Sequence, residues 1–562
     1  MLRLRIRQAM ADAVAIGRVW RYRSERYKPS GRVVPVAERL SEKKRFDEAV
    51  ESAEHELDAL AASNEIFAAH RALAGDPMLA ESVTEKIAEG MTAADAVHAA
   101  ADELAALFAQ IDDEYLRARA DDVRDVCRRI LGHLEPSAGN PFASIPEGSI
   151  LAADELAPSD TALIDFSHVR GVVTRRGSAT SHLAILARNM GLPAVVGLGD
   201  DFDRLTDGQT VVLDGGAGEL IVAPEPEMEA EYRRRMAAAD AQAAAIGARA
   251  GEKAATRDGR KVAVFANAGS VAEVAQAMRS GADGIGLFRS EFLYMQRRDD
   301  FPDEAAQAAV YAEAAELCGG RPLIIRTLDI GGDKALPYYK FPPEENPFLG
   351  WRAIRVSLEL RDMFRTQLRA ILRASARGGV RVMFPMIVSL TELRDALALL
   401  AECREELRRQ EVPFDDRMPV GVMIETPAAV LLAEELAAEV DFFSIGTNDL
   451  TQYLLAVDRG NERIAAMYDT LHPAVVRAMR QVVDAAHRHA CEVGICGEFA
   501  GVTAHTELLV GLGFDELSVA PPAVPAIKER IRTITSAEAR DAAVRMLRAT
   551  TAEEIHRLID SR

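Results

Sequence analysis

VGVMIETPAAVLLAEELAAEVDFFSIGTND, residues 420–449, decides the architecture. Two short apolar runs, VGVMIE (420–425) and FFSIG (442–446), enclose a segment of helix formers, giving strand, helix, strand. Runs of this length that are apolar on both faces belong to strands buried on both sides, as in a parallel sheet covered by helices. The same rhythm extends outward from Gly251 to the end of the chain. VAVFA (262–266), GIGLF (284–288), LIIRT (323–327), VRVMFP (380–385), EVGIC (492–496) and ELSVA (516–520) complete a set of eight candidate strands. Amphipathic stretches such as 390–409 and 473–490 lie between them. Eight strand–helix units over this span predict a (β/α)8 barrel, with a doubly wound open sheet as the alternative.

Upstream the texture changes twice. From about Val36 to Leu134 the chain is nearly all helix former. Phe46, Val50, Ala53, Leu57 and Leu60 repeat at helical spacing, as do Val97, Leu104 and Ile111, and Val123, Val126 and Ile130 form a further face. Gly75-Asp76-Pro77 and Gly90 break the region into segments, so a bundle of about four helices is expected. From Pro136 to about Ala223 glycines rise and β-branched runs appear, GVV (171–173), AVVGL (194–198) and TVVLDG (210–215), which suits a small α/β domain. Residues 225–250 carry charge and alanine without strand signals and read as a helical linker. The expected organisation is a multidomain α/β chain: residues 1–30 and 136–223 in one α/β domain, 31–135 a helical bundle inserted in it, 224–252 a linker, and 253–562 the barrel.

Composition narrows the function. The 562 residues are 49% hydrophobic and 27% charged, with a formal charge of −20. So acidic a chain is poorly suited to a nucleic-acid backbone. No run of 18 apolar residues occurs, and the Arg-rich start MLRLRIRQAM lacks the apolar stretch of a secretory signal. Five scattered cysteines without a C-x-x-C pair fit a reduced, cytoplasmic enzyme.

Functional residues of such a barrel gather at the C-terminal ends of its strands. Those positions here are polar: Arg289-Ser290-Glu291, Arg326 with Asp329 to Lys334, Glu425, Asn448-Asp449 and Cys496-Gly497-Glu498, with Arg352 and Arg459 in following loops. Glu425 and Asp449 form a minimal site for a hard cation such as Mg²⁺. Arginines around it would grip a small polyanion, so the mouth suits a phosphorylated carboxylate. The plainer reading is a network of charges pairing across the rim. Elsewhere, GSATSHLAILARNMGLPAVVG (177–197) places His182 at a helix start, with Gly191 and Pro193 closing the helix. A helix start favours a phosphoryl group added to the ring, although a histidine there is more often an ordinary capping residue.

These motifs resemble a known family. GSATSHLAILAR is similar to the phosphohistidine signature of phosphoenolpyruvate-utilising enzymes. GIGLFRSEFLYM, RTLDIGGDKALPY, NPFLGWRAIR, GVMIETPAA, SIGTNDLTQYLLAVDRGN, LHPAV and ICGEFAG resemble the catalytic barrel of enzyme I of the sugar phosphotransferase system. EIFAAHRAL and DEYLRARADDVRDV resemble its domain for the phosphocarrier protein HPr. The resemblance implies a relay in which His182 takes the phosphoryl group of phosphoenolpyruvate, releasing pyruvate, and passes it to HPr. It implies Glu425 and Asp449 as Mg²⁺ ligands, and Arg289, Arg326, Arg352, Asn448, Asp449 and Arg459 around the substrate. Cys496 would be the acid that protonates the enolate, Thr161 would steady the histidine, and His70 would be a contact for HPr. Taken without the family, Cys496 reads equally as a small buried apolar residue and His70 as a solvated helix residue. The resemblance also implies a homodimer formed through the barrel.

The chain departs from the family at Ser178, Ala179 and Leu183, and Arg175-Arg176 upstream could supply charge lost there. An ADAVAIG segment stands where the family has a Ser-Pro-Gly turn. Two alternatives remain within this reading: a nitrogen-regulatory branch of the same relay, and a silent scaffold that binds carriers without turnover. A dikinase or synthase would need a large ATP-binding domain, which does not precede His182.

Overall fold

The computed structural model describes the whole chain except residues 1, 6–12, 23–26, 62–65, 110–113, 136–140, 157, 178–182, 184–185, 188–189, 298, 333, 335, 337, 460, 462 and 562. It divides into two compact units, Met1–Ala241 and Gln242–Arg562.

The second unit is the barrel. Eight parallel strands close on themselves in the order β10-β11-β12-β13-β14-β15-β8-β9. They are β8 (Ala263–Ala268), β9 (Ile285–Arg289), β10 (Leu323–Arg326), β11 (Val380–Phe384), β12 (Val420–Ile424), β13 (Phe442–Ile445), β14 (Glu492–Ile495) and β15 (Glu516–Val519). All eight runs picked out in the sequence are strands, and the closed ring excludes the open doubly wound sheet. Long helices wrap them, including Glu304–Cys318, Arg361–Ser375, Leu390–Arg409 and Pro473–Arg488. Ser389 and Glu392 form a reciprocal cap at the start of the third of these. One continuous apolar core lies between strands and helices. The lumen holds a separate cluster of Leu287, Ile324, Met383, Met423, Phe442 and Cys496.

The first unit contains a seven-stranded sheet in the order β1-β7-β6-β2-β3-β4-β5. The strands are β1 (Leu2–Arg5), β2 (Val14–Tyr22), β3 (Ser149–Ala153), β4 (Val169–Thr174), β5 (Ala194–Val195), β6 (Thr210–Asp214) and β7 (Glu219–Val222). Between β2 and β3, which pair in parallel, the described residues form five α-helices against the about four expected: Arg39–Ala61, Ile66–Ala74, Pro77–Glu89, Ala93–Ala109 and Glu114–Leu134. The breaks behave as their chemistry requires. Asp76 accepts from the Met78 amide with Pro77 at the first helical position, and Gly90 ends that helix at φ 109°. The bundle has its own core, in which Phe46, Ala53, Leu57, Val97, Val126 and Ile130 are buried. The linker region forms one helix, Pro226–Ala248.

Candidate active site at the barrel mouth

The strand ends bring together an ion network that reaches deep into the barrel. Arg326, the last residue of β10, donates from Nη2 to Glu291 Oε1 at 2.6 Å and lies 3.0 Å from Asp329 Oδ2. Lys334 Nζ donates to the same two carboxylates at 2.8 and 3.0 Å. Arg352 Nη2 donates to Asp329 Oδ1 at 3.1 Å, and its Nη1 donates to the Tyr453 hydroxyl at 3.1 Å and lies 3.6 Å from Asp449 Oδ1. Arg326, Arg352, Glu291 and Asp329 are all buried. Burial raises the Glu291 and Asp329 carboxyls, but the adjoining cations outweigh it and hold both below their ordinary range.

Glu425 follows β12 and Asp449 lies in the first turn of the helix Thr447–Leu455 that follows β13. Both are buried. Glu425 Oε1 accepts from the Met386 amide at 2.7 Å, and Met386 holds φ at 57°, a left-handed backbone uncommon for a side chain of this size. A Cβ on Gly446 would lie 2.8 Å from Glu425 Oε2, so the glycine leaves room for the carboxylate beside β13. Burial, then Asp449 and then Asp329, push the Glu425 carboxyl up to about 8. Asp449 Oδ1 is buried without a hydrogen-bond partner. Two crowded acids, one forced towards protonation and the other with an oxygen that takes no hydrogen bond, make a donor set suited to a metal cation. A hard divalent ion fits it. Among the described residues no group of three His, Cys, Asp or Glu side chains could hold a metal ion by itself, so such an ion would take its remaining ligands from substrate and water.

Cys496, just past β14, is buried, and burial pushes its thiol up to about 12 despite the opposing influence of the nearby Ser444 hydroxyl and the charge of Arg326. It therefore carries a proton at neutral pH. Arg289 ends β9 half-buried and takes no ion pair among the described residues. Asn448 is half-buried and its carbonyl accepts from the Tyr468 hydroxyl at 3.0 Å. Arg459 is exposed, with its amide on the Gln452 side chain at 3.2 Å.

Three matches in chain order accompany this geometry. A model described as "PEP-utilising enzyme, PEP-binding domain" fits residues 244–536, "PEP-utilising enzyme, mobile domain" fits 145–218, and "PEP-utilising enzyme, N-terminal" fits 8–119. A phosphoenolpyruvate-protein phosphotransferase of Bacillus sp. (strain S) is 42% identical over 558 residues, covering 97% of this chain and 96% of that protein. The chain belongs to the enzyme I family of phosphoenolpyruvate-protein phosphotransferases. The enzyme of that name from Geobacillus stearothermophilus is also 42% identical, over the same shares of both chains. A multiphosphoryl transfer protein of Rhodobacter capsulatus is 44% identical over 519 residues, 91% of this chain and 62% of its own.

Two enzyme I expectations change on the structure. His70 is neither a solvated helix residue nor an open contact: it is 1% exposed, with Nε2 3.2 Å from Asp122 Oδ1 and Nδ1 3.6 Å from Asp125 Oδ2. Arg175 is committed to Asp154 at 2.8 Å and to Asp203, leaving Arg176 as the exposed cation of that pair. His182 lies outside the described residues, with Ser178 and Ala179; around it, Leu183 and Ala187 are buried and Gly191 closes the segment at φ 66°. Thr161 is buried on the helix Pro158–Leu163.

Sequence reasoning passed over Glu291, Asp329, Lys334 and Tyr453 as individual site residues. Glu291 stands two positions past Arg289, and Asp329 and Lys334 flank a glycine pair, so a strand-end carboxylate or amine beside a strand-end arginine was the usable signal. Tyr453 carried none.

Proposed function

We propose that this chain moves the phosphoryl group of phosphoenolpyruvate to its own His182 and from there to a histidine of HPr, as the entry step of sugar uptake. The observation that carries the barrel's part is the convergence of Arg326, Arg352, Lys334, Glu425 and Asp449 within one buried mouth. Glu425 and Asp449 would hold Mg²⁺, which when bound supplies positive charge to the phosphate and enolate oxygens. Arg289, Arg326 and Arg352 bind the carboxylate and phosphate, with Asn448 and Arg459 at the rim. Buried guanidiniums already fixed by Glu291 and Asp329 need little reorganisation as charge develops on the equatorial oxygens.

His182 must attack as neutral imidazole, so phosphorylation rises with pH through its pKa. Once the phosphoryl group has left, an enolate remains, and Cys496, protonated because it is buried, gives its proton to the methylene carbon. The histidine has to visit both this mouth and the carrier, so we assign residues 1–30 with 136–223 to a phosphohistidine domain that moves on the 224–252 linker, and 31–135 to HPr docking. Homodimerisation through the barrel and a cytoplasmic location complete the proposal. Among the described residues no helix is long and apolar enough to cross a membrane.

The test is labelled phosphoenolpyruvate with Mg²⁺. Acid-labile, base-stable label on His182 is expected, absent from His182→Ala, which should still bind phosphoenolpyruvate. Label retained by that variant would remove His182 as the nucleophile.

A further inference from the structure

Cys496 does not hang free at the end of its strand. Its amide donates to the Ile445 carbonyl at 3.1 Å, and its thiol points at the same oxygen at 3.7 Å. Its own carbonyl accepts from Asn267 Nδ2 at 3.1 Å, and Asn267 Oδ1 accepts from the Ser518 hydroxyl at 2.7 Å. A carbonyl only accepts, so the amide orientation of Asn267 follows from the chemistry, and its oxygen is left for the serine.

This strut is not part of the sheet. Asn267 belongs to β8, Ser518 to β15, and Cys496 follows β14, so the bond reaches past the intervening strand. The pairing of β8 with β9 shifts register between Ala266 and Asn267, the kind of irregularity that re-aims a side chain at a barrel rim. On the neighbouring strand, a Cβ on Gly286 would stand 2.6 Å from Ser518 Oγ, so the hydroxyl's place depends on that glycine. Beyond Cys496, a Cβ on Gly497 would lie 1.6 Å from Thr447 Oγ1, which demands glycine there. The close approach thus leaves the Cys496–Gly497 peptide next to the most flexible residue type, with the Asn267 amide donating to its carbonyl.

We propose that Asn267, braced by Ser518, is a positioning residue that fixes the Cys496 thiol against one face of the enolate. The inference rests on Cys496 being the acid. In the step it serves, the S–H bond breaks and a C–H bond forms at the methylene carbon. The enolate's electrons become the carbonyl of pyruvate and the new bond, and the thiolate left behind is reprotonated from water. A strut acts on distance and angle, so its loss should slow this step and blur its face while leaving phosphoryl transfer intact.

The experiment follows single turnovers of stereospecifically C3-labelled phosphoenolpyruvate in D₂O, reading pyruvate formation, the handedness of its methyl group and label on His182. Asn267→Asp keeps the shape but cannot donate, and Ser518→Ala frees the amide, so neither depends on the other folding. Both should form pyruvate about tenfold or more slowly and lose facial preference, with His182 labelling and KM within about twofold of the parent. Unchanged protonation and handedness in both variants would overturn the proposal, as would a parallel fall in labelling and pyruvate formation with handedness kept. Cys496→Ala in the same assay separates the two claims. If it too leaves rate and handedness alone, the acid role itself fails and the strut falls with it. If it alone loses them, only the strut is wrong.

Discussion

Asp329→Asn tests whether the mouth is a balanced charge network or a set of independent contacts. The carboxylate sits among three cations, with Arg352 on Oδ1 at 3.1 Å and Lys334 and Arg326 on Oδ2, each at 3.0 Å. The amide keeps the shape and one acceptor but removes the charge and turns an N–H₂ towards donors. Arg326 and Lys334 then share Glu291, and of its two carboxylates Arg352 keeps only Asp449, at 3.6 Å. Removing one partner of a buried ion pair costs about 3–5 kcal/mol. Because asparagine retains an acceptor, the low end, about 3 kcal/mol, applies. For a unit running from Gln242 to Arg562 that is a fall in Tm of roughly 4–5 °C, readable by thermal and urea unfolding of the full chain. The decisive arm is a cycle with Lys334→Met. Removing the amine restores the local charge, so the double variant should recover part of the loss, with a coupling of at least about 1 kcal/mol. Additive effects, with coupling below about 0.5 kcal/mol, or a Tm within a degree of the parent, would refute the network.

Other expectations follow from single groups. Glu425 keeps its proton below about pH 8 without a cation, so apparent Mg²⁺ affinity should rise about tenfold per pH unit up to about pH 8 and then level, measured by calorimetry. Without metal the same raised pKa means the folded chain holds a proton that the unfolded chain has lost between pH 4.5 and about 8, so the urea midpoint should fall as pH rises through that window. Cys496, pushed from 9.0 to about 12, should react with iodoacetamide at pH 8 about a thousandfold more slowly than an ordinary thiol. A Cβ at Gly331 would lie 2.7 Å from the Trp351 carbonyl and 2.8 Å from Arg352 Cβ, at φ 95°. Gly331→Ala should therefore displace Arg352 and lower kcat/KM about 10- to 100-fold, seen in coupled pyruvate formation.

What was legible in the sequence tracks how local the information is. Each barrel strand is a short apolar run, and continuous burial leaves that mark on composition whatever the strand's neighbours. In the first unit β3, SILAA, is built from helix-favouring alanines and a leucine and gave no strand signal; it is a strand because β2 and β4 flank it. Strand-end arginines and acids could be named from position alone, yet their partners could not. Glu291 meets Arg326 across 35 residues of chain, and Asp449 meets Arg352 across a longer interval. His70 shows the same limit: its motif suggests an open helix face, while the acids that cover it come from the helix Glu114–Leu134. The Asn267–Ser518 strut joins residues 251 apart and left no motif to read.

In the proposed relay Glu425 and Asp449 share one ion that holds phosphoenolpyruvate. Mn²⁺ titrated into His182→Ala, followed by electron paramagnetic resonance with and without phosphoenolpyruvate, tests this without turnover. One site per chain is expected, tightened by phosphoenolpyruvate and weakened at least about 100-fold by either Glu425→Gln or Asp449→Asn. Equal Mn²⁺ binding in the parent and both carboxylate variants, unaffected by phosphoenolpyruvate, would contradict it.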